Sequence, residues 1–364
     1  MGQQAHLSAT QPGFEQKNNR LLSLDIARGV LILLVVFMHC YGHVEEVAPA
    51  SPITRLWDFV VSASRPIRMP AFFLISGYLA KSIIKAEWKV LLWKRVYFLA
   101  YMYCIWLVLV ESMWVIIRYL SGDPHSIPVL FATLVEKVFI PNSFLWFLWA
   151  LAAYAVLAKL TYNLPRWITL GVALIASAVS ESLPLPWAYL ARCALFFLIG
   201  AFYPAVVSEL LSRARWVTVG LLTIAYLLAV GLIISLGEKF PGVWLPATFF
   251  GSALVVMDAG LTGGWAILRP LAFLGTNTIQ IYVMHFIVIK WVNYAVMHGF
   301  PSVRTFLQNN DLVLLVYPVL LVAFVVVVCL ALHWLFMMAG LKWLFTPPGW
   351  NKAQFASAVP APAR

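Results

Sequence analysis

Charge is what this chain has least of. Of its 364 residues, 25 are Lys or Arg and 14 are Asp or Glu, 11% in all, against 63% hydrophobic residues. A soluble domain carries about a quarter charged residues and about half apolar ones, so this composition excludes a water-soluble globule of this length. Cysteine is scarce as well. Cys40, Cys104, Cys193 and Cys329 fall within or at the edges of apolar runs, at spacings that match neither a disulfide framework nor a zinc site, and read as packing residues. No internal repeat is visible, no soluble domain separates from the rest, and the first twenty residues lack the pattern of a cleavable signal peptide.

What fills the chain instead is a series of apolar runs suited to cross a bilayer. They extend approximately from Leu21 to Tyr41, Pro66 to Ile84, Val96 to Leu120, Phe144 to Tyr162, Trp167 to Val179, Ala188 to Val207, Trp216 to Leu236, Trp244 to Leu261, Leu271 to Val292 and Leu312 to Leu335. The expected fold is therefore all-α, a polytopic membrane bundle of about ten transmembrane helices. Basic residues crowd the even connections, as with Lys81, Lys85, Lys89, Lys94 and Arg95 in the second and Arg213 and Arg215 in the sixth. Acidic residues such as Glu45, Glu46, Glu181 and Glu238 mark the odd ones. By the positive-inside rule the even connections and both termini are cytoplasmic. The expected organisation is a disordered cytoplasmic N-terminus over residues 1–20, one membrane domain over 21–345 and a cytoplasmic tail over 346–364. The net charge of +11 is then a topology signal directed at the lipid bilayer, with no need for nucleic acid as a partner.

Asp25, Arg28 and His39 interrupt the first run. An Arg or Asp near the bilayer centre costs roughly 2.5–3.5 kcal/mol on insertion scales, so such groups face the bundle interior and pair or work. Arg28 and His39 are eleven residues apart, which puts them on one helix face, separated along the axis by roughly 16 Å. Arg55, Arg65 and Arg68 break the charge rule on the outward side. Snorkelling to lipid headgroups explains Arg55. For Arg68, which lies between Pro66 and Pro70 where irregular backbone is expected, snorkelling and the lining of a water-filled cavity stand level.

Three motifs in order carry a resemblance. SLDIARG from Ser23 to Gly29, followed by His39, resembles the opening signature of the acyltransferase 3 family of membrane acyltransferases. RMPAFFLISGYL from Arg68 to Leu79 is similar to that family's Met-Pro-x-Phe-Phe-x-x-Ser-Gly segment, and LGTNTIQIYVMHF from Leu274 to Phe286 resembles its late helix with a Tyr-x-x-His pair. The resemblance covers residues 20 to 340. It implies O-acyl transfer from cytosolic acyl-coenzyme A to a carbohydrate hydroxyl at the outer face of a bacterial inner membrane. The short form without a soluble extension looks most like sugar O-acetylases. Acetyl-coenzyme A is then a co-substrate; no bound cofactor and no metal is implied, and glycan-assembly proteins are the partners beside which such an enzyme would act. One departure concerns the donor side, where the family often has two Arg separated by two residues and this chain has Lys89, Lys94 and Arg95 in different spacing.

Acyl transfer needs a base for the acceptor hydroxyl, and a histidine suits that role. His39 is the candidate, against the plainer reading of a satisfied interhelical hydrogen bond; His43, one turn on, reads as solvated. Arg28 suits the phosphate or amide oxygens of coenzyme A, with Asp25 orienting its guanidinium or merely neutralising it. Lys89, Lys94 and Arg95 read as cytoplasmic anchors with donor binding as a second role. Arg68, Tyr282 and His285 are candidates on the acceptor side; Tyr282 and His285 would bind acceptor hydroxyls, fix the tautomer of His39, or pack. Glu111 and Arg192 are candidates for an interior pair, with a structural or acceptor-side role. The alternatives are a transporter or exporter of a polar substrate, or an acyltransferase acting on a lipid or peptide.

Overall fold

The computed structural model describes residues 12–49, 51–122, 127–238 and 240–349. These residues form helices and connecting turns with no strand among them. In chain order the helices are α1 (Pro12–Val47), α2 (Pro52–Lys85), α3 (Trp88–Leu91), a π-helical segment (Leu92–Tyr97), α4 (Phe98–Leu120), α5 (Ile127–Phe139), α6 (Trp146–Leu160), α7 (Arg166–Ala178), α8 (Trp187–Phe202), α9 (Pro204–Ser212), α10 (Trp216–Leu236), α11 (Trp244–Thr262), α12 (Arg269–Thr276), α13 (Thr278–Tyr294), α14 (Pro301–Gln308) and α15 (Asp311–Met338).

Among the described residues, seven helices are long and apolar enough to span a membrane, and α8 with α9 forms an eighth candidate bent by 81°. The fourth and fifth expected runs are the apolar helices α6 and α7, of 15 and 13 residues. At 1.5 Å per residue they reach roughly 22 and 20 Å, short of the roughly 30 Å hydrocarbon core. The sixth run is the bent pair, and the ninth is divided at Asn277 between α12 and α13. At the N-terminus α1 begins at Pro12, so residues 12–20, expected to be disordered, continue the helix. The tail expected over 346–364 lies outside the described residues beyond 349.

Burial patterns on the peripheral helices follow from lipid as the outer solvent. In α10 only Tyr226, Ala229, Val230 and Ile233 are buried, one stripe at helical spacing, while Val217, Leu221, Leu228 and Ile234 are exposed. No interior group needs the outer face, and hydrocarbon accepts it. Helix α1 lies at the centre, packed by α2, α11, α12, α13 and α15.

Small residues set the closest crossings. A Cβ on Gly29 would overlap the backbone carbonyl of Leu271, and one on Gly275 that of Asp25, so α1 and α12 meet backbone to backbone. Gly77 in α2 and Gly200 in α8 do the same through the carbonyls of Phe197 and Leu74. Each of the three motifs thus contributes a glycine whose missing side chain permits a helix crossing.

The irregular backbone expected around Arg68 is not observed: α2 runs unbroken through Pro66 and Pro70. Proline removes the hydrogen bond to the carbonyl four residues earlier. The carbonyls affected are those of Ser62 and Pro66, and Ser62 and Pro70 line a cavity.

Candidate active site

Helices α1, α2, α8 and α13 and the segment from Pro141 to Phe144 enclose a cavity of about 560 Å³. His39, Asp58, Arg65, Arg68, Tyr189, Arg192 and Tyr282 are among its lining residues. His39 is partly exposed to it and makes no hydrogen bond to another described residue. It is held by rings: Phe286 edge-on at 5.4 Å between centroids, Phe144 at 6.4 Å and His285 at 5.1 Å. Phe144 stacks on Phe286 at 4.5 Å, which ties the Pro141–Phe144 segment over the histidines.

His285 is fully buried. Its Nδ1 lies 2.7 Å from the carbonyl of Tyr282 and 3.2 Å from that of Ile281. Carbonyls only accept, so Nδ1 carries the hydrogen and in the neutral ring Nε2 is left as an acceptor. Nε2 has no partner. The His39 ring lies 5.1 Å away between centroids. The Tyr282 hydroxyl donates to the Phe144 carbonyl and accepts from the Phe147 amide at 3.3 Å. It therefore anchors the chain before α6 and leaves its ring to the cavity.

Arg28 lines a separate cavity of about 350 Å³ with Phe98, Thr276, Ile279, Gln280, His333, Met337, Phe345 and Thr346. Its Nη1 donates to Asp25 Oδ1 at 3.0 Å, both side chains about one-quarter exposed. Arg95, in the π-helical segment, is within electrostatic reach of Arg28. Its Nε is buried without a hydrogen-bond partner, as is Oε1 of Gln280. Lys89 is exposed and Lys94 half-buried, and neither lines this cavity. Of the basic residues assigned to the donor side, Arg28 lines this cavity and Arg95, though not among its lining residues, is within electrostatic reach of Arg28.

Two expectations are corrected. His43 is not solvated: it is 2% exposed, with Nδ1 2.7 Å from Asn293 Oδ1 and Nε2 2.8 Å from the Tyr317 hydroxyl. Its place near the end of α1 suggested water, but α13 and α15 close over it. Glu111 and Arg192 do not pair. Glu111 accepts from Lys137 Nζ at 2.8 Å, and Arg192 pairs with Glu181 while lying 4.4 Å from the Trp244 ring centre. Arg55 is exposed, in keeping with a lipid-facing role, and Arg68 lines the cavity. Sequence reasoning passed over Asp58, Tyr189, Gln280 and His333. The signal available for each was a polar group in or beside an apolar run, which does not say which helices converge on it. Among the described residues, no three His, Cys, Asp or Glu side chains are grouped to share a metal ion.

Comparison with known proteins addresses the whole chain. An inner membrane protein of Escherichia coli (strain K12), YcfT, is 25% identical over 357 residues, covering 90% of this chain and 96% of that protein. No solved structure gives a significant match. The acyltransferase domain model of the acyltransferase 3 family matches residues 21–337, an interval that contains His39, Arg28, Arg68 and His285; this multi-pass membrane protein belongs to that family.

Proposed function

We propose that this protein transfers an acyl group, acetyl in the first instance, from cytosolic acyl-coenzyme A to a hydroxyl of a cell-surface or exported carbohydrate at the bacterial inner membrane. The observation that carries the reading is one continuous helix with His39 in one cavity and Arg28 in another, on the same face and about 16 Å apart along the axis. A donor and an acceptor approaching from opposite sides require such an arrangement. The positive-inside distribution puts the Arg28 end in the cytosol and the His39 end outside, with about ten membrane-crossing or re-entrant segments and both termini cytoplasmic.

On the donor side Arg28, oriented by Asp25, and Arg95 offer guanidinium donors to phosphate or pantetheine oxygens, and the unpartnered Gln280 Oε1 offers an acceptor to a pantetheine amide. The slender acyl-pantetheine arm would then extend along α1 toward His39. On the acceptor side His39 takes the proton as the sugar hydroxyl oxygen attacks the thioester carbonyl. Collapse of the tetrahedral intermediate breaks the carbon–sulfur bond, and His39 returns the proton to the coenzyme A thiolate. His285, its ring centre 5.1 Å from that of His39 and its Nε2 unpartnered, would orient the base. Tyr189 and Trp146, stacked at 5.6 Å, offer an aromatic wall to a sugar ring.

The test is reconstitution of purified protein in liposomes, with radiolabelled acetyl-coenzyme A on the Arg28 side and glycan acceptors on the other. Label should enter a glycan and disappear with His39→Ala, while the variant inserts and melts like the parent. If the wild type neither binds nor consumes the donor, the proposal fails.

A further inference from the structure

Three arginines line the His39 cavity, and they are not equivalent. Arg65 donates to Glu238 at 3.0 Å, and its guanidinium lies 5.5 Å from the centre of the Trp244 ring. Arg192 pairs with Glu181 and lies 4.4 Å from the same ring. Each carries its own carboxylate. Arg68 does not. It is 4% exposed, makes no hydrogen bond or ion pair with any described residue, and its Nη1 is buried without a partner. The acid of the lining, Asp58, forms no ion pair with Arg68.

A guanidinium stays protonated in proteins, and removing it from water without a counter-ion costs several kcal/mol. An isolated apolar or neutral ligand would leave that cost standing. A ligand oxygen carrying negative charge would remove it, through the planar fork that matches carboxylate and phosphate. The position is suited to selection as well as to binding, because Arg68 and His39 line the same cavity. The anion held by Arg68 and the hydroxyl presented to His39 can therefore belong to one molecule.

We propose that the acceptor is anionic, a carbohydrate carrying a carboxylate or phosphate that Arg68 binds while a neighbouring hydroxyl meets His39. The inference rests on the acyl-transfer reading of this cavity. It makes Arg68 a specificity residue: Arg68 contacts the acceptor's charge and takes no part in proton transfer. Charge should matter more than ring identity, since a fixed bidentate pair rejects a neutral analogue by leaving the buried arginine unpartnered.

Equilibrium binding to the purified full-length protein tests it, by calorimetry with an oligoglucuronide, its carboxyl-reduced neutral counterpart and a glycosyl phosphate of similar length. The wild type should bind at least one anionic probe tenfold or more tighter than the neutral one; carboxylate against phosphate identifies the source of the charge. Arg68→Gln should abolish the preference and Arg68→Lys should keep part of it, with donor binding unchanged in both and the melting temperature of ligand-free Arg68→Gln at or above that of the parent, since it no longer buries an unpaired charge. Equal binding of charged and neutral probes, failure of both anions to bind, or a preference that survives Arg68→Gln would overturn the proposal. A parallel transfer assay separates the two claims. Acyl transfer to a neutral glycan independent of Arg68 leaves the transferase reading intact and removes this one. Arg68-dependent anion binding without any acyl transfer does the reverse.

Discussion

Replacing His285 tests whether the two histidines act as a unit. His285 has its Nδ1 fixed by the Tyr282 carbonyl at 2.7 Å and its Nε2 unpartnered, with the His39 ring 5.1 Å away between centroids. The bond that His285 offers His39 is a single neutral hydrogen bond, contributing about 0.5–1.5 kcal/mol. Its loss through His285→Gln or His285→Ala should lower kcat by roughly three- to tenfold, since 1.36 kcal/mol is tenfold in rate. Removing His39 itself should cost about 10²–10⁴-fold, the range for a general base. The decisive measurement is the double-mutant cycle on kcat in reconstituted protein. If His285 acts only by orienting His39, the His39→Ala/His285→Ala pair is no slower than His39→Ala alone, because nothing remains to orient. His285 is buried, so His285→Ala also leaves a cavity, and the cycle should be referred to the folded fraction measured by thermal unfolding. Multiplicative losses, with His285 effects undiminished in the His39→Ala background, would refute the dyad and return His285 to packing.

Further outcomes follow from the packing and charge arrangement. Gly77→Ala places a methyl against helix backbone, 2.9 Å from the Phe197 carbonyl carbon and 3.0 Å from the Ala201 nitrogen; this should destabilise the fold by about 1–3 kcal/mol, read as a lowered melting temperature in detergent. Lys137→Met strands the Glu111 carboxylate, only 8% exposed, and should cost about 3–5 kcal/mol; combining it with Glu111→Gln should recover most of the loss, and no recovery would mean the pair is not the cause. Arg28→Ala should raise KM for acetyl-coenzyme A about tenfold or more with a smaller effect on the acceptor, measured by steady-state kinetics varying each substrate in turn. A cysteine at Glu45 should be labelled by an impermeant maleimide in intact spheroplasts, and one at Arg213, 77% exposed, only after the membrane is opened; the opposite pattern would invert the assignment of donor and acceptor sides.

Sequence alone determined the solvent and the helices. Eleven per cent charge over long apolar runs admits a helical membrane bundle and little else, because each backbone amide in lipid must be satisfied within its own segment. It also determined the face shared by Arg28 and His39, since helix geometry is local and an eleven-residue step closes about three turns. The motifs that pointed to the family were legible for the same reason: two are short runs on one helix, and the third is a short run across the break at Asn277 between α12 and α13. What lay beyond the sequence were contacts between helices distant in the chain. His43 was read as solvated because its partners Asn293 and Tyr317 are 250 and 274 residues away. Glu111 and Arg192 were paired as opposite charges, yet each had a nearer match in Lys137 and Glu181 once α5 and the turn after α7 were placed. The lengths of α6 and α7 and the 81° bend between α8 and α9 were likewise not read from hydropathy. Only the tertiary structure showed that, of the three arginines lining the cavity, Arg65 and Arg192 are neutralised and Arg68 is not, because pairing is decided by where α2, α8 and the Glu238 turn meet in space.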